Sequence, residues 1–361
     1  MQEKKCVALN YASHSHYNDH LVPVCAIMNM PLIVVDENDC ATCKKYYPDV
    51  DVILAEYDEF NPEYLIQNFD VLFMSDLWDR DVFKEKFQPL EKKYHKNIRN
   101  VHVPHGYSDK GFYLRKAARE DITLIYGQNM LDMFRHEGVL HELQHYVITG
   151  NYRLTYYRTH QTFFDKIVQE EVLSKFDKKR KTILYAPTWM DLEETSTYFD
   201  FIGHVLDTIP EDYNIIVKPH PQLELDDTAL YYQILGKYQD HPQVHFLIDF
   251  HLIFPILNVS DIYIGDMSSI GYDFLHFNRP MFFLNKDNRN PKRDRRSFLY
   301  NCGVDIKKHQ FPRLYEIIGE HLHDDKKYKN IRAEVYEYTF GKERTFSEIK
   351  TEIINTYNEI S

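Results

Sequence analysis

The 361-residue sequence has no apolar run approaching the roughly twenty residues that a membrane-spanning helix requires. It also lacks the glycine signatures of common nucleotide and hydrolase sites. Glycine occurs only 12 times. No G-x-x-x-x-G-K-[ST] loop is present, no G-x-G-x-x-G follows the first strand, and there is no G-x-S-x-G elbow. Positive charge is short as well: 43 Lys and Arg stand against 55 Asp and Glu, a net charge of −12. That balance disfavours a nucleic-acid binder and gives no support for adsorption to anionic lipid. Cysteine is sparse and odd in number, at five. With no secretory h-region in the first residues, these read as reduced thiols in a cytoplasmic protein. Cys40-Ala41-Thr42-Cys43 has C-x-x-C spacing, but acidic Asp36-Glu37-Asn38-Asp39 separates it from the preceding strand. No second ligand pair follows, so ordinary thiols are expected and no metal is. His141-Glu142 and His145 have H-E-x-x-H spacing without an assignable third ligand.

What is present is a rhythm. Short apolar runs at 6–9, 32–35, 52–54, 71–74, 101–103, 122–126 and 146–148 alternate with helix-length segments. A second series lies at 182–185, 215–217, 244–247, 262–264 and 281–284. Continuous rather than alternating apolar strands imply parallel sheets covered on both faces. The expectation is therefore α/β, with two doubly wound domains. The charged run Lys175 to Lys181 follows a helical stretch, 152–173, and suggests the joint. The expected domains are 1–175, 180–340, and a tail 341–361 whose helix packs back on the first domain.

Several turns carry chemistry. His105, in Val103-Pro104-His105-Gly106-Tyr107, sits at a strand tip, where an imidazole can take a proton from a hydroxyl or merely tie down a loop. Gly106 permits a sharp turn and a close ligand approach, and Asp109 is positioned to orient the ring. In Lys218-Pro219-His220-Pro221 the two prolines enforce extended geometry. Lys218 and His220 would then project to one side, toward one phosphate, or form a rigid exposed turn. Asp266-Met267-Ser268-Ser269 precedes a helical run, making Ser268 or Ser269 an N-cap and that end an anion site. Asp273, one turn on, either accepts from ribose hydroxyls or improves the cap. Asn278-Arg279-Pro280 ends that run. Trp189 either stacks on a base or packs. The cationic stretch Lys286 to Arg296 is either a docking point for an anionic acceptor or a solvated loop. Two histidines, one per half, suggest a cleft between domains.

In order, His105-Gly106, Tyr185-Ala186-Pro187-Thr188-Trp189, Lys218-Pro219-His220-Pro221, Asp266-Met267-Ser268-Ser269 with Asp273, Asn278-Arg279-Pro280 and Gly341-Lys342-Glu343-Arg344 resemble the CDP-glycerol glycerophosphotransferase family. These are the teichoic-acid glycerol- and ribitol-phosphate transferases. The resemblance implies a GT-B architecture, two Rossmann-like domains facing a central cleft. It implies a cytoplasmic transferase for cell-surface polymer or capsule synthesis. A polyol phosphate, glycerol phosphate first, would pass from a CDP donor to a hydroxyl of a glycopolymer or lipid-linked acceptor, releasing CMP. No separate cofactor is implied. A lipid-linked acceptor would bring the chain to the inner face of the membrane. Carried over, His105 is the general base and His220 contacts the donor diphosphate. Ser268 and Ser269 hold phosphate, and Asp266 or Asp273 supports the site or the ribose. Gly106, Thr188, Lys218 and Arg279 complete the substrate-binding set. Two positions depart from the family: Tyr107 replaces the usual threonine after His-Gly, and Met190 replaces an arginine or small polar residue. The rival readings are a nucleotide-sugar glycosyltransferase or 2-epimerase of the same fold, and a nucleotide-binding protein without turnover.

Overall fold

The computed structural model describes residues 5–11, 14–56, 61–77, 80–192 and 194–360. Residues 1–4, on which part of the leader reading rests, and Glu193 in the loop after Trp189 lie outside the described residues. The chain forms two compact units. The first comprises Met1–Gly106, Gly111–Thr159 and Thr339–Ser361, and the second Tyr107–Lys110 and His160–Tyr338.

The first unit is built on seven parallel strands: β1 (Cys6–Asn10), β2 (Leu32–Val34), β3 (Val52–Leu54), β4 (Val71–Met74), β5 (Arg99–His102), β6 (Ile122–Ile125) and β7 (Tyr146–Ile148). Their order is β3-β2-β1-β4-β5-β6-β7, so the chain reverses direction across the sheet between β1 and β4. Register is set by pairs such as Ala8↔Leu32 and Cys6↔Val71. The apolar runs are continuous because both sheet faces are covered. One core packs Val7, Leu9, Ile33, Leu65, Leu72, Met74 and Phe87. Cys40 and Cys43 lie inside the helix Glu37–Tyr46, which Asp36 caps by accepting from the Asp39 amide at 2.9 Å. The acidic segment is thus a helix start rather than a break, and both thiols are buried and free.

The second unit has six parallel strands: β8 (Lys181–Ala186), β9 (Tyr213–Val217), β10 (Val244–Phe246), β11 (Ile262–Gly265), β12 (Met281–Asn285) and β13 (Val304–Lys307). The order β10-β9-β8-β11-β12-β13 reverses between β8 and β11. β13 leaves no mark in the apolar pattern of the chain. It is an edge strand in which only Ile306 is buried, too short an apolar run to register.

The expected helical stretch 152–173 is two helices, Tyr152–Thr159 and Gln161–Glu171, broken at His160. The units change over at this break, not in the charged run 175–181. The second helix packs on helix Ile253–Val259 of the second unit, and the charged run is that unit's loop, with Arg180 bonded to Asn214 at 3.0 Å. The last helix, Phe346–Ile360, belongs to the first unit. It buries Ile349, Ile353 and Tyr357, and Lys350 Nζ donates to the Met28 carbonyl at 3.2 Å. Among the described residues no helix is long and apolar enough to cross a membrane.

Candidate active site

In open α/β sheets, ligands bind beyond the carboxyl ends of strands, where strand order reverses. In the first unit that point lies between β1 and β4, and β5 is the next strand along. The β5 chain runs through Val103-Pro104 to His105. Gly106 then takes φ of +106°, a conformation a side chain would strain. One phenol holds this turn from both sides. Tyr126 Oη donates to the Pro104 carbonyl at 2.9 Å and accepts from the Gly106 amide at 3.2 Å. Tyr126 is itself buried, stacked on Tyr152 at 6.1 Å and edge-on to Phe340 at 5.6 Å.

The His105 ring lies among aromatic neighbours. Its centroid is 4.8 Å from Tyr17, 5.9 Å from Tyr113 and 6.3 Å from His16. His16 and Tyr17 belong to the 3₁₀ turn Ser15–Tyr17 that follows β1, so the reversal point itself supplies one wall. Beneath them His20 is fully buried, its Nδ1 3.4 Å from Tyr126 Oη. Burial and then the Arg153 charge hold His20 well below the usual histidine range, so it is neutral there.

Asp109 does not orient His105. Its carboxylate is buried in the second unit, where Oδ1 accepts from Tyr272 Oη at 2.5 Å and Arg295 Nη1 at 2.8 Å. Oδ2 accepts from the Leu299 amide at 2.9 Å. Tyr107, which departs from the family pattern, joins the same knot: Arg295 Nη2 donates to its hydroxyl at 2.7 Å. Arg295 of the cationic stretch is therefore engaged inside the fold. So is Lys286, which donates to the Ser196 carbonyl at 2.9 Å. Lys292 and Arg293 are exposed.

In the second unit the turns after β8, β9 and β11 occupy neighbouring strand ends at the reversal point. After β8, Thr188 is buried, and its amide, carbonyl and hydroxyl oxygen are all bonded. Its amide donates to Asp266 Oδ1 at 2.8 Å and its carbonyl accepts from Ser196 Oγ at 2.7 Å. Its hydroxyl accepts from Lys110 Nζ at 2.5 Å. Asp266 Oδ2 accepts from the Thr197 amide and hydroxyl, both at 2.9 Å. Asp266 thus ties the β8 and β11 turns together from inside. Both its oxygens are engaged within the fold, and burial pushes its carboxyl up to about 6. Ser268 is the extended N-cap of helix Ser269–Phe274, and Ser269 is that helix's first residue. The helix is only six residues long, so an anion there would depend on the hydroxyls more than on an aligned dipole. Asp273 is buried on its far turn.

After β9, the His220 ring stacks on Trp189, centroids 5.9 Å apart and planes 28° apart. Its Nδ1 accepts the Gln222 amide hydrogen at 3.1 Å. A backbone N–H can only donate, so in the neutral ring the proton sits on Nε2. Lys218 turns the other way, its Nζ reaching the Leu247 carbonyl beyond β10 at 3.3 Å. The expected pairing of Lys218 with His220 is not seen: Lys218 reaches toward the β10 side of β9, while His220 stacks on Trp189 on the β8 side. Arg279 is not part of the site either. It precedes β12, at the amino ends of the strands, and its Nη1 caps helix Ile253–Val259 by donating to the Asn258 and Ser260 carbonyls, both at 2.7 Å.

His141 and His145 do not share a helix. His141 lies in the 3₁₀ turn Leu140–Glu142 and His145 in the following loop, while Glu142 pairs with Arg115 and, at 3.1 Å, with Arg119. Among the described residues no group of three or more His, Cys, Asp or Glu is arranged to hold a metal ion. Sequence reasoning missed Tyr126, Lys110 and Asp191. Lys110 lies in the same loop as His105, and its signal was a cation five residues after the histidine.

The chain is 27% identical over 163 residues to the teichoic acid poly(ribitol-phosphate) polymerase of Bacillus spizizenii, covering 42% of this chain and 24% of that protein. It is 23% identical over 264 residues to the teichoic acid glycerol-phosphate primase of Bacillus subtilis, covering 67% of this chain and 63% of that protein. The matches thus span about a quarter and under two thirds of these two relatives. Among solved structures, the wall teichoic acid polymerase TagF superposes with a TM-score of 0.65 at 15% identity, covering 99% of this chain and 89% of that one. The same polymerase is also known after a soak with CDPG. The two parallel α/β sheets are those of a GT-B fold. Residues 149–343, more than half of the chain and nearly all of the second unit, match the family described as CDP-Glycerol:Poly(glycerophosphate) glycerophosphotransferase, and the chain belongs to that family.

Proposed function

We propose that the chain transfers a polyol phosphate, glycerol phosphate first, from a CDP-activated donor to a hydroxyl of a cell-surface glycopolymer or lipid-linked acceptor. The observation that carries this reading is the clustering at one sheet edge. Thr188, His220, Asp266 and Ser268 follow three adjacent strands at the reversal point, inside the stretch that matches the family. The family description supplies the donor class.

In this reading the acceptor hydroxyl attacks the donor's β-phosphorus while His105 takes its proton. The bond from the β-phosphorus to the bridging oxygen breaks, and CMP leaves with the electron pair. His220, with its proton on Nε2, donates to the diphosphate as charge builds on the leaving group. Trp189 keeps that ring in plane. The Ser268 and Ser269 hydroxyls hold phosphate oxygens, and Asp273 supports the ribose side. The rate comes from positioning and charge stabilisation, as in other phosphoryl transfers. The chain works at the cytoplasmic side, where a CDP donor is made and a lipid-linked acceptor is accessible.

The test is CMP release by purified protein given CDP-glycerol or CDP-ribitol and an acceptor. His105→Ala and His220→Ala are each expected to lower turnover by roughly 10²–10⁴-fold, with the unfolding transition retained. Undiminished turnover in either variant overturns that residue's role. Thermal stabilisation by UDP-N-acetylglucosamine but not by CDP-glycerol would move the chain to the nucleotide-sugar class.

A further inference from the structure

We infer that Lys110 is a positioning residue for the donor phosphate, acting through Thr188. The inference rests on the functional reading above and extends it to a residue which that reading does not use. Lys110 is a buried cation, 7% exposed, in the four-residue segment Tyr107–Lys110 of the second unit. Its ammonium donates to Thr188 Oγ1 at 2.5 Å and pairs with Asp191, whose side chain is fully buried.

A buried ion pair is a poor way to gain stability, since desolvation offsets most of the attraction and an apolar pair often serves as well. This pair has a directional consequence instead. A lysine ammonium has donors and no acceptor, so an N–H enters a lone pair of the threonine oxygen. The Thr188 hydroxyl must then use its own hydrogen as a donor, and the adjacent positive charge strengthens it. Asp266 and Ser196 fix the backbone of the same residue on both sides. Thr188 is therefore held as a single, oriented O–H donor at the end of β8, beside the turns that carry His220 and Ser268. A charge-strengthened O–H donor bonds most strongly to an anionic oxygen such as that of a phosphate.

The experiment measures donor KM and kcat for CDP-glycerol, following CMP release at saturating acceptor. Lys110→Met is combined with Asp191→Asn so that no lone charge is left buried. The combined variant is expected to raise donor KM about tenfold with a much smaller change in kcat. Thr188→Val should raise it by a similar factor, and the triple variant no further, because all three remove one oriented donor. Thr188→Ser should keep a donor KM near the starting value. Multiplicative effects in the triple variant, an unmoved KM in the Lys110 pair, or a Thr188→Ser defect as large as that of valine would each overturn the inference. If the Lys110 pair does not fold, the Ser and Val variants of Thr188 still decide the donor's role. Absence of turnover in the unaltered protein would instead overturn the reading beneath it.

Discussion

The two units hold their chemical turns by different means. The His105 turn of the first unit is fixed by a phenol bonded on both sides and by a nest of rings: Tyr17, Tyr113, His16 and Tyr126. The turns of the second unit are fixed by buried charge: Asp266 across Thr188 and Thr197, Lys110 with Asp191, and Asp109 with Arg295. The difference matches what each turn does in the proposed reaction. A ring that would switch between neutral and charged forms is surrounded by aromatic rings. Turns that receive a dianionic diphosphate keep their geometry when that charge arrives, because strong internal pairs already set it.

Three measurements would sharpen or break this contrast. The largest effect is expected on the charged side. Because the Asp266 carboxyl is pushed up to about 6 from an ordinary 3.8, the folded chain binds its proton more tightly than the unfolded chain. Protonation therefore favours folding, and this contribution grows as pH falls from about 6 to about 4, by up to about 3 kcal/mol. In chemical denaturation, wild type should gain stability relative to Asp266→Asn over that window. A flat difference would mean that the carboxyl is not shifted. Next comes Tyr126→Phe, which leaves the Gly106 amide without its acceptor and the Pro104 carbonyl without its donor. A loss of about 2 kcal/mol is expected, with kcat reduced and donor KM nearly unchanged, and without a special pH slope near 6. A donor KM defect instead would erase the division of labour. Smallest is Arg279→Ala, which removes a helix C-cap. It should cost about 1 kcal/mol in thermal unfolding and leave donor KM alone. A raised KM would return Arg279 to the ligand.

Much of the fold was legible because parallel strands covered on both faces must be apolar throughout, and twelve such runs stand out between polar helices. β13 was not legible, since an edge strand with one buried residue writes no pattern. The joint was misread for a related reason. A charged run marks exposure, but His160 breaks the helix without any compositional shift. Among the candidate residues, the strand-end positions of His105, His220 and Ser268 were legible because prolines, glycine and a capping pair punctuate strand ends. Roles set by long-range pairing were not. Asp109 and Lys110 are adjacent in a loop, yet their partners lie at 188, 191, 272, 295 and 299, and nothing local distinguishes the two. The Lys218–His220 pairing was not legible because the partners that draw the two side chains apart, the Leu247 carbonyl and Trp189, lie on neighbouring strands' turns far along the chain.

The route of the chain has a consequence for synthesis. All seven strands of the first unit are translated by Ile148, but its closing helix ends at Ile360. A nascent chain must hold the first unit without its closing helix while residues His160–Tyr338 of the second unit are made. No single cut yields both units whole and separate: a break between Thr159 and His160, for example, leaves the first unit without its closing segment Thr339–Ser361 and the second without Tyr107–Lys110.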